Sequence, residues 1–336
     1  MKTILCLQPN QFAFEERAYP SSIDGNSIIA IKRIGICGTD LHAYKGNQPF
    51  FSYPRVLGHE LSAEFVEGHA PGFSKGDLLT VLPYKSCGTC FACMRGKTNC
   101  CASLSVLGVH EDGGMSEYLS IPNQLLISSG GLTLDQLALV EPLAIGAHAV
   151  RRAMIQKGDS VVVIGAGPIG FGLLHFLKLL DIKLMVVETN EFRLNFCKKE
   201  FPTVECIDAS KNDVIDCLKD LTKGNMPSIV FDATGNLTAI NESFQYLSHA
   251  GTYVLVGLQQ GTLSVVHPEF HKREATLMSS RNATHSDFHF VIQAIQEKKV
   301  QAENMITHRM HFNDVINEFP RLYTTGNALM KAMISL

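Results

Sequence analysis

The stretch VVVIGAGPIGFGLLHFLKLL, residues 161–180, constrains the fold more than any other part of the chain. It divides at its glycines into a β-branched run and a helical run, and a further apolar run, LMVV, leads to Glu188. The segment is long enough to cross a bilayer, but it contains Pro168, His175 and Lys178. We therefore predict a buried strand, a glycine turn, a helix and a second strand.

The glycines of this stretch follow the pattern G-x-G-x-x-G between strand and helix. Such glycines allow a tight turn, a close approach of backbone to a pyrophosphate, and packing of the helix on the strand. The helix start offers free amides and a positive dipole end to phosphates. An acid about 20 residues beyond binds the adenosine ribose and repels a 2′-phosphate, which favours NAD over NADP. The candidate cofactor-binding residues are Gly165, Gly167, Pro168, Ile169, Gly170, Glu188 and Arg193.

Further predicted strands end at FDATG, YVLVG and LMSSRN, each separated from the next by helical or loop segments. This alternation predicts a doubly wound parallel sheet, with ligands at the carboxyl ends of its strands. With 336 residues the chain exceeds the usual size of one core. Two domains are therefore expected.

Residues 87–101, CGTCFACMRGKTNCC, hold five of the ten cysteines. In a reducing compartment, thiols clustered in this way are more often metal ligands or redox groups than disulfides. A bacterial iron–sulfur run would need its fourth cysteine after three residues, followed by proline. We interpret the loop as a closed structural zinc site, with free or disulfide-forming thiols as the alternative. Its predicted ligands are Cys87, Cys90, Cys93 and Cys101.

Three other motifs offer ligands for a second metal: GICGTDLH at 35–42, VLGHELSAE at 56–64 and VEPLAIGAHAV at 140–150. Together they supply a thiolate, an imidazole and carboxylates, which is the donor mixture of a catalytic zinc site. The carboxylate of Glu141 lies in an apolar run, where an unpaired charge would be costly. A metal ion would offset that cost. The candidate ligands are Cys37, His59, Glu60 and Glu141.

Composition excludes several other classes of protein. The chain is 46% hydrophobic and 18% charged, with a formal net charge of -3. It has no basic stripe for nucleic acid, so we expect a small-molecule substrate and neither a nucleic-acid nor a membrane partner. The start, MKTILCLQPN, has an apolar run too short for a secretory signal. We expect a cytoplasmic protein.

The order CGTDLH, GHE, four-cysteine loop, EP and GAGPIG resembles the zinc-dependent medium-chain alcohol and polyol dehydrogenases along the whole chain. The resemblance implies an α/β protein with a GroES-like, partly open β-barrel catalytic domain formed by residues 1–143 and 282–336. A Rossmann domain, residues 144–281, would be inserted into it. A homodimer or homotetramer is also implied, and we expect the segment LVGL to be the pairing edge strand.

The same resemblance implies two bound zinc ions per subunit and the roles of individual residues. Cys37, His59 and Glu141 would hold the catalytic zinc, with Glu60 as a nearby, exchanging ligand. Asp40 would hold His59 through its other ring nitrogen. Thr39 would pass the hydroxyl proton on, and His42 would carry it to solvent. Lys331 would contact the cofactor phosphates.

The segments YKGNQPFFSYPRVLGHE and HPEFHKREATLMSSRNAT resemble bacterial L-galactonate oxidoreductases, which implies oxidation of a hexonate by NAD, L-galactonate to D-tagaturonate. A sugar acid needs a cation for its carboxylate and hydrogen-bonding groups for its hydroxyls. L-gulonate, a polyol or threonine are alternative substrates. A zinc-free reductase and a non-enzymatic zinc-module binding protein are the alternative classes. The candidate substrate residues are Arg281, Asn282, Asn47 and Gln48.

Overall fold

The computed structural model describes residues 1–21, 23–49, 51–323 and 328–336. Within these residues the chain forms two compact units. One consists of Met1–Ala144 together with Asn282–Leu336, and the other consists of Ile145–Arg281.

The amino-terminal part of the first unit is mostly strand. Its strands are β1 (Lys2–Gln8), β2 (Gln11–Glu16), β3 (Asn26–Ile36), β4 (Glu60–Gly68), β5 (Leu78–Val81), β6 (Tyr84–Lys85), β7 (Ser105–Val106), β8 (Tyr118–Pro122) and β9 (Leu126–Ser128). The helices that accompany them are α1 (Gly38–Lys45), α2 (Phe91–Met94) and α3 (Leu134–Arg152). Helix α1 ends at Gly46, whose φ of 84° is the left-handed conformation that favours glycine.

The second unit alternates strands and helices as the sequence predicts. Its elements are β10 (Ser160–Ile164), α4 (Pro168–Leu177), β11 (Lys183–Glu188), α5 (Glu191–Glu200), β12 (Glu205–Asp208), α6 (Val214–Leu221), β13 (Ile229–Asp232), α7 (Leu237–Ser243), β14 (Thr252–Leu255), α8 (His267–Lys272) and β15 (Thr276–Ser279). The strands form one parallel sheet in the order β12-β11-β10-β13-β14-β15. Strand β10 is buried along nearly its whole length, which explains its unbroken β-branched sequence. The prediction of a doubly wound parallel sheet is confirmed.

The carboxyl-terminal segment completes the first unit. It contains α9 (His285–Gln296), β16 (Ile306–His311), α10 (Val315–Glu318) and β17 (Lys331–Ser335). Strand β17 pairs antiparallel with β3, within a sheet of order β16-β17-β3-β4-β5-β9 in which β8 also pairs with β3. The register places Ala332 opposite Ile36, and Gly35 opposite Glu60 of β4. The last strand therefore lies beside the two segments that carry the first predicted metal ligands.

The expected edge strand is wrong. The segment LVGL begins at Leu255, the last residue of β14, and β14 lies between β13 and β15. The edges of the sheet are β12 and β15, and β15 has largely exposed residues, among them Leu277. Sequence order does not reveal this, because the position of a strand in a sheet depends on pairings between distant segments. No helix in the described part of the chain is both long enough and apolar enough to cross a membrane.

Candidate metal and cofactor sites

Three predicted metal ligands come together in the first unit. Ligand atoms of Cys37, His59 and Glu60 all lie within 4.8 Å of one another. Cys37 immediately precedes α1, His59 immediately precedes β4, and Glu60 is the first residue of β4. His59 and Glu60 are buried, while Cys37 is partly exposed. A thiolate, an imidazole and a carboxylate at this spacing match the ligands that zinc takes in proteins.

Asp40 connects, through hydrogen bonds, the two segments that carry these ligands. Its carboxylate is fully buried and accepts hydrogen bonds from the backbone N–H of Cys37 at 2.9 Å and of Gly58 at 3.2 Å. Burial raises the pKa of Asp40, and His59 and these amides oppose that rise. Oδ1 of Asp40 is 3.8 Å from Nδ1 of His59, an ion-pair distance that exceeds a hydrogen bond. Asp40 thus positions the backbone of both segments.

Glu60 and Lys331 form a buried ion pair at this cluster. Their side chains are each 1% exposed, and Nζ of Lys331 lies 2.6 Å and 2.7 Å from the two carboxylate oxygens of Glu60. Burial lowers the pKa of Lys331, but Glu60 and Cys37 outweigh it, so the pKa is raised and the ammonium stays charged. Gly35 makes room for the pair, since a Cβ there would overlap Oε2 of Glu60.

The expected role of Lys331 at the cofactor phosphates stays a prediction, while the structure shows other partners for its ammonium. Besides Glu60, its ammonium donates to the carbonyl oxygen of Ile36 at 3.2 Å. A lysine ammonium has three N–H donors. With two donated to the Glu60 carboxylate and one to Ile36, all three are engaged.

Glu141, which we expected as the third zinc ligand, lies outside the group of three within 4.8 Å. It is buried in α3, and its Oε1 accepts a hydrogen bond from the hydroxyl of Tyr84. Burial, reinforced by Glu60 and opposed by His59, raises the pKa of Glu141 to about 7. The structure therefore groups Glu60 with Cys37 and His59 and places Glu141 beside them, held by a tyrosine.

Two buried polar atoms near this cluster have no hydrogen-bond partner among the described residues. They are Nδ1 of His59 and Oε2 of Glu141. An unpaired buried polar group is costly, and a metal ion held by the cluster would satisfy the carboxylate oxygen. The residues present thus fit the catalytic zinc that the sequence motifs imply.

Sequence reasoning missed Tyr84 and Gly35 as parts of this site. Both lie next to motifs that it did use: Gly35 begins GICGTDLH, and Tyr84 stands three residues before the first cysteine of the loop. A glycine inside a strand indicates a close approach of another group, so a strand prediction for residues 26–36 would have drawn attention to Gly35. Tyr84 gave no comparable indication.

The second cluster is the cysteine loop. The sulfur atoms of Cys87, Cys90, Cys93 and Cys101 all lie within 4.8 Å of one another. Backbone N–H groups donate to these sulfurs: Cys87 to Cys101 at 3.2 Å and Cys90 to Cys87 at 3.3 Å. Gly88 and Gly96 supply left-handed turns, with φ of 74° and 72°. The loop therefore offers four sulfur ligands, as a closed structural zinc site requires.

Hydrogen bonding prepares part of this loop for metal binding. The amides of Thr89 and Cys90 lower the pKa of Cys87 to about 6, so this thiol ionises easily. Burial raises the pKa of Cys93 to about 11, and the neighbouring thiols add to the rise. A metal ion binds thiolates and would displace the proton of Cys93. Cys100 is exposed and lies outside the cluster.

The glycine turn of the second unit has the geometry of a phosphate cradle. Gly165 has a φ of 90°, and a Cβ on Gly170 would overlap the carbonyl oxygen of Gly165. By contrast, a Cβ on Gly167 would come no closer than 3.5 Å to another group, Nη1 of Arg193. Gly167 caps α4, and Pro168 and Ile169 form its first turn. The amino end of α4 is thus open to a phosphate.

Glu188 accepts hydrogen bonds from the backbone of this glycine turn and of the segment after β11. Its Oε2 accepts from the N–H of Ala166 at 2.8 Å, and its Oε1 accepts from Thr189 and Asn190 at 2.8 Å and 2.9 Å. Nη1 of Arg193 lies 4.0 Å from Oε2. The predicted ribose-binding acid therefore also fixes the loop that would hold the pyrophosphate. These residues fit a dinucleotide with a free ribose hydroxyl.

The expected proton-transfer residues lie on one helix, and one expected substrate residue contacts them. Thr39 and His42 are three residues apart on α1 and so share a face. Nδ1 of His42 lies 2.9 Å from Oδ1 of Asn47, which places this substrate candidate against the relay histidine. Gln48 follows it in the loop after α1. Arg281 is exposed and Asn282 half-buried, and both follow β15 in the chain.

Comparison with known proteins identifies the family. Residues 24–130 match the alcohol dehydrogenase GroES-like domain, and residues 168–297 match the zinc-binding dehydrogenase family. The chain therefore belongs to the zinc-binding, GroES-like alcohol dehydrogenase family, and it is an oxidoreductase with a dehydrogenase fold. The resemblance inferred from its motifs is confirmed.

The chain is also similar to individual dehydrogenases and to a solved structure. The chain is 42% identical to L-galactonate-5-dehydrogenase of Escherichia coli K12, with 100% of this chain and 99% of that protein covered. It is 30% identical to sorbitol dehydrogenase of Halalkalibacterium halodurans, with 93% and 91% covered. Among solved structures, an Escherichia coli CFT073 protein described as a short chain alcohol dehydrogenase (rspB), in complex with NADH, has a TM-score of 0.92. Its sequence is 30% identical to this chain, and the match covers 100% of this chain and 99% of that chain.

Proposed function

We propose that this protein is a zinc- and NAD-dependent dehydrogenase that oxidises a secondary hydroxyl of a sugar acid, L-galactonate, to the ketone D-tagaturonate. The observation that carries the proposal is the cluster of Cys37, His59 and Glu60, of which His59 and Glu60 are buried. It occurs in a chain 42% identical over its full length to an L-galactonate-5-dehydrogenase. The first unit would be the catalytic domain, and the second unit would bind the dinucleotide.

The chain's own residues have defined tasks in this reaction. When bound, zinc makes the substrate hydroxyl more acidic, and NAD accepts the hydride. Cys37 and His59 would hold the metal, with Glu60 and Glu141 as the carboxylates beside it. Thr39 would accept the hydroxyl proton from the substrate while releasing its own hydroxyl proton towards the cofactor ribose, from which His42 would carry it on.

The proton then has to leave a site from which water is excluded. His42 lies on the exposed side of α1, three residues beyond Thr39, so it can pass the proton to solvent. Its contact with Asn47 orients the imidazole ring for this transfer. Asp40 keeps the start of α1 and the segment before β4 in register, so that these residues face the same centre.

The choice of NAD rests on Glu188. Its carboxylate is buried and held by three backbone amides, so it cannot swing away from a ribose. A 2′-phosphate placed there would meet a fixed negative charge. Arg193 lies close enough to bind the ribose or pyrophosphate from the other side of Gly167. We therefore infer NAD as the cofactor, as the bound NADH of the rspB protein also suggests.

The substrate assignment is tested by following NADH absorbance with a panel of L-galactonate, L-gulonate, sorbitol, threonine and simple alcohols. We expect L-galactonate or L-gulonate to give the highest kcat/KM, and NAD to be preferred over NADP. Sorbitol or a simple alcohol turning over far more efficiently would contradict the sugar-acid assignment. Lack of both dinucleotide binding and turnover would favour the non-enzymatic zinc-module protein.

Assembly and location are part of the same proposal. A homodimer or homotetramer is supported by the exposed edge strand β15, because an unpaired strand edge offers a template for pairing with a second copy. A cytoplasmic location is supported by the four-cysteine cluster and by Cys37, since thiol ligands stay available to metal where the environment is reducing.

A further inference from the structure

Tyr84 lies between the catalytic cluster and the cysteine loop. It is buried, and its hydroxyl donates a hydrogen bond to Oε1 of Glu141, 57 residues further along the chain. It is also the first residue of β6, three residues before Cys87. A buried tyrosine hydroxyl needs a hydrogen-bond partner, and here that partner is a carboxylate next to the metal cluster.

The two carboxylate oxygens of Glu141 differ in their hydrogen bonding. Oε1 is occupied by the hydroxyl of Tyr84, whereas Oε2 is buried and has no hydrogen-bond partner among the described residues. A carboxylate without a fixed partner can rotate about its last side-chain bond. The tyrosine therefore fixes the orientation of the carboxylate and keeps one oxygen available.

We propose that Tyr84 is a positioning residue for the catalytic metal, fixing Glu141 through Oε1 so that Oε2 serves the metal held by Cys37 and His59. The inference rests on the proposed function as a zinc enzyme, but it does not depend on which substrate is oxidised.

The cysteine loop holds Tyr84 in place. Strand β6 pairs antiparallel with β7, with Tyr84 opposite Val106 and Lys85 opposite Ser105. The cysteine loop connects the two strands, with Cys87 after β6 and Cys101 before β7. The N–H of Cys87 donates to the sulfur of Cys101. The edge of the tyrosine ring contacts Phe288, with ring centroids 6.4 Å apart. The loop thereby closes the hairpin that presents the hydroxyl to Glu141.

The test is the rate at which the zinc-loaded protein gives up its catalytic metal to a chromophoric chelator. The catalytic phase is identified as the one missing in Cys37→Ser. We expect Tyr84→Phe to release this metal about tenfold faster or more, because loss of a partner that orients a ligand typically weakens metal binding by that factor. Tyr253→Phe is the matched control, since it removes another buried hydroxyl, bonded to Ser243 in the second unit.

A double-mutant cycle separates positioning from a general loss of structure. Glu141→Gln keeps an oxygen that can accept from Tyr84 but removes the charged oxygen left for the metal. If Tyr84 acts through Glu141, adding Tyr84→Phe to Glu141→Gln has little further effect on release. Release from Tyr84→Phe at the wild-type rate, or effects of the two substitutions that multiply independently, would overturn the proposal.

A measurement on the unaltered protein covers the case in which Tyr84→Phe does not fold. The chain has no tryptophan, so its near-ultraviolet spectrum reports on tyrosine. Loading zinc into the catalytic site should give a tyrosine difference signal that is missing in Cys37→Ser, and no signal would contradict the proposal. These readouts need no substrate, so failure of L-galactonate to react would overturn the proposed function and leave this inference standing.

Discussion

At the scale of single residues, the site depends on charges that are buried in pairs. Glu60 and Lys331 would each be costly to bury alone, since an ion removed from water loses several kcal/mol of solvation. Their contact offsets that cost only while the geometry is kept. Gly35 is what keeps it, because its missing Cβ leaves the space that Oε2 of Glu60 fills.

Replacing Gly35 with alanine should therefore break this pair. The new methyl group would push the Glu60 carboxylate from Lys331 and leave two buried charges poorly matched. We expect Gly35→Ala to lower the free energy of unfolding by about 3 kcal/mol, measured by urea denaturation. Gly38→Ala is the control, since a Cβ there meets no atom within 4 Å. Equal unfolding midpoints for the two variants would show that Gly35 makes no room for the pair.

The residues that sequence reasoning found share a property: their chemistry is unusual in their local context. Cys37, His59 and Glu60 offer a mixed set of ligands, and Glu141 is a carboxylate in an apolar run, and these features pointed to a metal. The contact of Lys331 with Glu60 was not foreseen because the two residues are 271 positions apart in sequence. The Tyr84 contact was not foreseen for the same reason. Pairings set by tertiary structure leave no mark at either residue alone.

At the scale of elements, helix α4 carries a polar residue that its function does not need. His175 is buried between Phe171 and Phe201, with ring centroids 4.9 Å and 5.0 Å away. Neither ring nitrogen has a hydrogen-bond partner within the described ranges. Burial, with a smaller contribution from Lys178, lowers the pKa of His175 from 6.5 to about 3. The folded protein therefore keeps this ring neutral.

This shift predicts a pH-dependent loss of stability. In the unfolded chain His175 is protonated below about pH 6.5, whereas in the folded chain it stays neutral down to about pH 3. His175 therefore destabilises the fold increasingly as pH falls through this range. We expect the stability advantage of His175→Leu over wild type to grow by up to about 1.4 kcal/mol for each pH unit below about 6.5. Urea unfolding at pH 7, 6 and 5 measures it.

The control is the same substitution at His249, which is exposed. His249→Leu should show no such growth. A difference between His175→Leu and wild type that stays constant from pH 7 to pH 5 would mean that the buried ring is not kept neutral by the fold.

Elements were predictable where the pattern is local. The strand, glycine turn and helix of residues 160–177 follow from a β-branched run, glycine spacing and a helical run, all within one segment. The sheet edges were not predictable in that way, because nothing local in LVGL or in β15 marks which of them lies at an edge. Only the pairing order distinguishes them.

At the scale of the whole molecule, the chain is built so that both of its ends contribute to one metal centre. Strand β17 returns from the end of the sequence to pair with β3, and this pairing delivers Lys331 to Glu60. The second unit forms its own parallel sheet and carries the complete glycine cradle. The division of labour between a metal-holding unit and a dinucleotide-holding unit follows from this arrangement.

The most direct test of this account combines metal analysis with NADH formation from L-galactonate, in the wild-type protein and in Cys37→Ser. We expect two zinc ions per wild-type chain and NADH formation. Cys37→Ser should retain one zinc, that of the cysteine loop, and lose at least about 100-fold in kcat/KM, equivalent to about 2.7 kcal/mol of transition-state stabilisation. Undiminished turnover in a Cys37→Ser protein that has lost that zinc would contradict the account.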